Sequence, residues 1–306
     1  MKIKYIFILF VFVALIQDFS NAQTSLWRRK RKEFIFGGGA TNFLGELGGA
    51  NQIGTNGMKD FNWPSVRPDF MIAYRYRTTR QTAVKTSLIF GRLSGNDNLT
   101  KEPYRNDRNL NFRTSVVELS SQFELTLTRE RPGHIYNLKG IRGIRYLQIT
   151  SYLFAGFGVM FFDPHGRDTL GNWHALRPLS TEGEGFVPTR KKYSLFQATI
   201  PFGIGFKYAL SADWSVGIEY GLRKTFTDYI DDVSKTYFDP NELQKEKGSL
   251  AVEMANPSNH SLFNWKLVTA PGMERGDPSR KDSYMFSFIS FYYKIPRGRF
   301  TLPKFR

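Results

Sequence analysis

The chain has 306 residues, a formal charge of +16, no cysteine, 16% aromatic residues and a mean hydropathy of −0.38. Without cysteine it forms no disulfide and is not a lipoprotein, and past the N-terminus no apolar run is long enough for a membrane-crossing helix. A charge this high points to nucleic acid in a cytosolic protein, but here the location of the cations argues against that partner.

Lys2 and Lys4 precede an apolar run over residues 5–16, and the segment ends in Ser20-Asn21-Ala22. Small residues at Ser20 and Ala22 suit signal peptidase, so residues 1–22 are expected to be a cleavable signal peptide. The run is too short to span a bilayer comfortably. A basic segment follows at 23–32, with Arg28, Arg29, Lys30, Arg31 and Lys32. Next come eight strand candidates, at residues 33–44, 69–78, 82–94, 110–126, 145–162, 193–210, 214–229 and 282–295. A basic tail closes the chain at 296–306.

Most of the strands alternate with period two, which is not a helix pattern. In the second, Phe70, Ile72, Tyr74 and Tyr76 oppose Met71, Ala73, Arg75 and Arg77. In the fourth, Val117, Leu119, Phe123 and Leu125 oppose Glu118, Ser120, Gln122 and Glu124. The sixth and seventh are the clearest. Phe196, Ala198, Ile200, Phe202, Ile204, Phe206 and Tyr208 share one face, and Trp214, Val216, Ile218, Tyr220 and Leu222 form its continuation. A three-residue turn at 211–213 sets Tyr208 against Val216, Phe206 against Ile218, Ile204 against Tyr220 and Phe202 against Leu222. A one-residue slip would set each against a small or polar residue. The eighth strand, SYMFSFISFYYKI, is apolar on both faces, and its pattern does not orient it.

Strands of about 9–11 residues, apolar on one side, suit a transmembrane β-barrel. A soluble sandwich has shorter strands, with turns about every 8–12 residues. The expected fold is therefore all-β, an eight-stranded antiparallel transmembrane barrel over residues 33–295. Its connections alternate long and short, with the one at 127–144 intermediate. The outer-membrane convention places long loops outside and both termini with the 211–213 turn in the periplasm. A short helix is expected near residues 241–253 of the longest loop.

A barrel this narrow is filled by side chains. The inward set is expected to include Arg75, Arg77, Lys85, Glu118, Glu124, Lys207, Glu219 and Arg223. Because unpaired buried charge is costly, these groups should pair. Lys207 and Glu219, on neighbouring strands, are the candidate lumen pair, meeting diagonally.

The same topology sorts the net charge. The periplasmic rim would carry Arg28, Arg29, Lys30, Arg31, Lys32, Arg80, Arg129, Arg131, Lys139, Arg142, Arg145, Arg297, Arg299, Lys304 and Arg306, opposed by Glu33, Glu130 and Asp213. That is fifteen cations against three anions, a net of +12, whereas the four long loops together sum to zero. Such a rim either contacts anionic headgroups of the outer-membrane lipids or docks an acidic periplasmic partner. The candidate docking cations are Arg28, Arg29, Lys30, Arg31, Lys32, Arg129, Arg131, Arg142, Arg297 and Arg299.

Reactive chemistry is thin. Gly37-Gly38-Gly39 lacks the Gly-Lys-Ser/Thr that a phosphate loop needs. The four histidines have no metal-ligand spacing. Asp228, Asp231 and Asp232 read as a solvated loop in preference to a calcium site, and no nucleophile–base pair is suggested. No catalytic residue, cofactor or metal is expected.

Five segments carry a family resemblance. They are GGGATNFLGELGG at 37–49, YLFAGFGVMFFDP at 152–164, RPLSTEGEG at 177–185, ATIPFGIGFKY at 198–208 and GLRKTFTDYIDDVSKTY at 221–237. The chain resembles the PorG family of outer-membrane barrels from the type IX secretion systems of Bacteroidetes-type bacteria. The resemblance implies a non-enzymatic scaffold in the cell outer membrane that associates with a periplasmic ring of PorK- and PorN-like proteins. A small porin-like channel or ligand-binding outer-membrane protein is the alternative expectation.

Overall fold

Alternation along each strand becomes a closed wall in the computed structural model, which describes residues 30–47, 63–128, 149–211, 213–259 and 268–295. The strands are β1 (Lys32–Leu44), β2 (Arg67–Arg77), β3 (Thr82–Asn96), β4 (Asn111–Thr126), β5 (Ile149–Arg167), β6 (Trp173–Ala175), β7 (Phe196–Ala209), β8 (Trp214–Thr225) and β9 (Ser283–Ile295). They run in the order β4-β3-β2-β1-β9-β8-β7-β5, all antiparallel, and a β4–β5 ladder closes the ring. Eight strands thus form the barrel, and β6 is a short flap on the end of β5. The fold is the expected eight-stranded antiparallel barrel, and closure leaves no sheet edge.

The β7–β8 hairpin has the register that apolar matching required, with Tyr208 opposite Val216, Phe206 opposite Ile218, Ile204 opposite Tyr220 and Phe202 opposite Leu222. Its turn is tied by the amides of Leu210 and Ser211, which both donate to the Trp214 carbonyl at 3.0 Å. Strand ends differ more. β5 continues five residues past 162, because Arg113 to Ser115 of β4 keep pairing with Asp163 to His165. β8 stops at Thr225, whose hydroxyl is drawn to the carbonyls of Thr227 (3.1 Å) and Asp282 (2.8 Å), turning the chain away from the wall. Gly37 to Gly39 are ordinary β1 residues paired on both sides.

The strand whose faces the pattern left open is settled by closure. In β9, Tyr284, Phe286, Phe288, Ser290, Tyr292 and Lys294 point inward, and Ile289, Phe291, Tyr293 and Ile295 point outward. Aromatic rings lie flat over glycines on the neighbouring strand, Tyr152 beside Gly205 and Phe154 beside Gly203. A Cβ on Gly205 would stand 2.1 Å from the Tyr152 ring, so only glycine leaves that ring its place. The outward wall is the reverse of a soluble surface. Phe36, Phe70, Phe90, Leu119, Phe157, Phe206, Ile218 and Ile289 stand exposed on successive strands, Phe157 at 77%.

Candidate functional site

Inside the barrel, near the end that carries the tight turns, six charged side chains form one alternating chain. Lys207 of β7 reaches Glu33 of β1 at 2.8 Å. Glu33 takes Arg75 of β2 at 3.0 Å, and Arg75 also binds Glu124 of β4. Lys85 of β3 lies 3.7 Å from Glu124 and bonds Glu219 of β8. Three cations and three carboxylates are each almost wholly buried. The Tyr152 hydroxyl closes the group, donating to Glu219 at 2.9 Å and meeting Tyr292 at 2.9 Å. Opposed charges in a dry lumen are stabilising only if each is neutralised and hydrogen-bonded; here each of the six has an oppositely charged partner and a hydrogen bond, while one oxygen of Glu124 and one of Glu219 accept none. Above it Glu118 accepts the Tyr284 hydroxyl (2.7 Å) and lies 3.5 Å from Arg223.

Every residue of the expected inward set is buried. The expected Lys207–Glu219 pair is not formed. Lys207 stands opposite Gly217 and Glu219 opposite Gly205, so the two are diagonal neighbours, yet each reaches across the lumen, to Glu33 and to Lys85. A lumen one side chain wide makes the facing wall as near as the next strand. The rim balance also needs correction, because Glu33 is a fully buried lumen carboxylate and no rim anion. Its signal was present in β1, where Glu33 shares parity with inward Ile35 while Lys32, Phe34 and Phe36 face out.

At the rim, Lys30 pairs with Asp213, Arg31 donates to the Tyr76 hydroxyl (3.4 Å), and Lys32 and Arg80 are exposed. Arg28, Arg29, Arg129, Arg131, Arg142, Arg297 and Arg299, like the expected signal peptide, lie outside the described residues.

The opposite mouth is closed by a cap of loops. It contains α1 (Pro103–Arg108), α2 (Leu176–Leu179), α3 (Pro240–Lys247) and α4 (Ser249–Ala255). The last two are the expected loop helix, broken at Gly248 with φ of 85°. Arg275 is the hub, a residue sequence reasoning passed over. Its guanidinium donates to Glu182 (3.0 Å), to the Asp232 carbonyl (2.6 Å) and to the Ala255 carbonyl (3.1 Å). Glu182 also accepts the amides of Ser234 and Lys235 at 3.0 Å. Asp232 takes the hydroxyls of Thr181 and Tyr193, both at 2.6 Å. The TEGEG and DYIDDVS segments, far apart in sequence, are thus bolted together. Gly183, at φ of 81° and against the Phe238 ring, makes the bend that presents Glu182. Apolar packing is continuous from the lumen (Phe162, Phe286) to the cap (Tyr193, Ile230, Val233).

Asp228, Asp231 and Asp232 are not a solvated loop: all three are buried. Asp231 and Asp282 each accept one backbone amide, of Val233 (3.1 Å) and Ile230 (3.0 Å), and leave the other oxygen without a hydrogen-bond partner. Burial pushes the Asp228 carboxyl up to about 8. Burial first, then the neighbouring carboxylates, hold Asp231 and Asp282 well above the usual range. Among the described residues no group of three or more acids and histidines has metal-binding geometry. The sign of the pH effect follows. A carboxyl raised on folding contributes stability that is whole below its unfolded pKa, about 3.9, and is lost as pH rises to its folded value. For Asp228 the window therefore closes at about 8. Cap opening, read by amide exchange at residues 228–237 corrected for intrinsic rates, should become easier from about pH 5 to about pH 8. Asp228→Asn should flatten that slope; an unchanged slope refutes the assignment.

A cleft of about 360 Å³ opens beside the cap, lined among others by Glu46, Tyr104, Arg105, Tyr237 and Arg280.

A family described as a domain of unknown function, DUF6089, matches residues 34–165, the first part of the barrel. No curated protein matches the chain in sequence. Among solved structures, the attachment invasion locus protein Ail of Yersinia pestis is similar at 7% identity and a TM-score of 0.35, covering 86% of this chain and 96% of its own. Neisserial surface protein A follows at 8% identity and a TM-score of 0.34, covering 86% and 95%. The outer membrane protein OprG of Pseudomonas aeruginosa has 9% identity and a TM-score of 0.34, covering 88% and 98%. The closed ring described above rests on this chain's own strand ladders.

Proposed function

We propose that the chain is a non-enzymatic outer-membrane barrel, a scaffold or anchor component of type IX protein secretion that docks a periplasmic ring through its basic rim. The observation that carries the membrane part is the outward apolar wall running around all eight strands. Exposed apolar surface on that scale is unfavourable in water and favourable in hydrocarbon. An aromatic girdle of Tyr76, Tyr208, Trp214 and Tyr293 marks its turn end, where Trp214 and Tyr293 pack 4.9 Å apart. Long loops then face outside and the tight turns face the periplasm. A lumen filled by the six-charge chain supports a scaffold over a conduit. The secretion role and its PorK- and PorN-like partners rest on the sequence resemblance and on the cations concentrated at the turn end.

Neutralising the cations of residues 28–32 and 297–306 is expected to weaken retention of the ring by about tenfold or more at low salt, since charge of this kind steers association. The barrel's heat-modifiable gel mobility should be unchanged. If ring pull-down and cargo secretion both survive, the docking face is wrong. The cleft beside Tyr104 and Arg280 favours a second reading, a ligand-binding outer-membrane protein. Stable single-channel conductance by the purified barrel would contradict the filled lumen and favour a porin-like one.

A further inference from the structure

On the outward wall the described strands carry few charges, and those at the loop end are gathered. Arg92, Arg113, Asp163 and Arg167 lie on the adjacent strands β3, β4 and β5, while Lys224 stands apart on β8. The cations begin where the apolar wall stops. Arg92 follows outward Phe90 by two residues, and Arg113 lies four residues beyond outward Val117. Register brings them together: Arg113 is paired with Ser94 and with His165, Arg92 with Ser115, and Asn111 with the end of β5 through the Arg167 amide at 2.8 Å.

Neither nearby acid forms an ion pair with these arginines among the described residues. Asp163 lies 3.8 Å from His165, and Asp168 binds His174 at 2.8 Å and the Asn172 amide at 2.7 Å. No ion pair to a protein carboxylate engages Arg92, Arg113 or Arg167 among the described residues. Arg167 donates to the Gly171 carbonyl (3.2 Å), and the Arg113 guanidinium lies 4.0 Å over the Trp173 ring. That ring belongs to β6, which β5 holds in place through the Arg167–Trp173 pairing. Stacking fixes a guanidinium plane without using its donors. Three outward cations on adjacent strands, with no carboxylate partner among the described residues and at the boundary between apolar wall and loops, are arranged for an anion at that depth.

We propose that Arg92, Arg113 and Arg167, with Trp173 as platform, form a binding site for the phosphate of a phosphorylated glycolipid headgroup in the outer leaflet. Guanidinium forks suit phosphate oxygens, and the edge of the apolar wall is where such a headgroup sits. The site rests on the outer-membrane reading given above. It would fix the barrel's depth and rotation against the lipid on one side.

The test uses the full-length mature barrel in nanodiscs containing diphosphorylated lipid A or its dephosphorylated form, with co-purifying lipid counted by native mass spectrometry. Wild type should retain the diphosphorylated lipid selectively. The variant Arg92→Gln/Arg113→Gln/Arg167→Gln should lose retention about fivefold per arginine, on the order of a hundredfold together, with heat-modifiable mobility intact. Trp173→Ala should give a smaller loss, and Lys224→Gln none. Equal retention by wild type and the triple variant, or no preference for phosphate by wild type, overturns the site. Cell fractionation keeps the two readings apart. Sedimentation away from the outer membrane sinks both. Outer-membrane sedimentation with equal retention sinks the site alone.

Discussion

Glu33→Ala should destabilise the barrel by about 3–5 kcal/mol, the usual effect of removing one partner from a buried ionic group. Glu33 is fully buried and is the carboxylate that Arg75 and Lys207 share, at 3.0 and 2.8 Å. Taking it away leaves two desolvated cations facing one another across a narrow lumen. Arg75 keeps Glu124, so part of the charge stays compensated. Glu33→Gln retains the shape and a hydrogen-bond acceptor but not the charge, and should fall part-way. Glu33→Leu combined with Lys207→Met removes both members of one link and should recover much of the loss, because a buried pair is often replaceable by apolar residues of similar volume. Urea unfolding in lipid vesicles, with the heat-modifiable gel shift as fold readout, measures all three. A loss below about 1 kcal/mol for Glu33→Ala, the range of exposed pairs, would show that water reaches this part of the lumen.

Arg275→Ala should open the cap while leaving the barrel closed. The side chain is almost wholly buried and ties Glu182, Asp232 and Ala255, from three separate stretches of loop. Without it Glu182 keeps two backbone amides but no cation. The local cost should again be about 3–5 kcal/mol, seen as amide exchange at residues 229–237 faster by on the order of a hundredfold or more. Limited trypsin digestion should cut at Lys235 and Lys191, with the strands protected. Arg275→Lys keeps charge but cannot serve three acceptors in one plane, so it should give an intermediate result. The barrel's own unfolding should move little, because its ladders do not pass through Arg275. If the barrel loses as much as the cap, the two are one cooperative unit and the continuous apolar packing dominates. Together with the pH effect on Asp228, this would make the cap the part of the molecule most responsive to its surroundings.

Strand number, the faces of the alternating strands, and the β7–β8 register could be read from residues alone. Period-two alternation is a local property, and matching apolar to apolar across one turn involves only neighbours. Glu33 was legible by parity with Ile35 but stood too near Lys32 to be separated from the rim. β9 was not legible, since Tyr284, Phe286 and Phe288 on one face and Met285, Ile289 and Phe291 on the other are equally apolar. Only ring closure with β1 and β8 decides which set is inside. The ionic partners were not legible either. Lys207 and Glu219 are close in sequence, yet strand stagger and lumen width set Glu33 and Lys85 nearer to them. The cap was hidden for the same reason: Glu182, Asp232 and Arg275 mean little singly, and become a site only when three loops fold over one mouth. Sequence determined what the residues of the alternating strands face; the closed tertiary structure determined the faces of β9 and what each residue meets, because contacts across a lumen or between loops depend on distances that no local pattern carries.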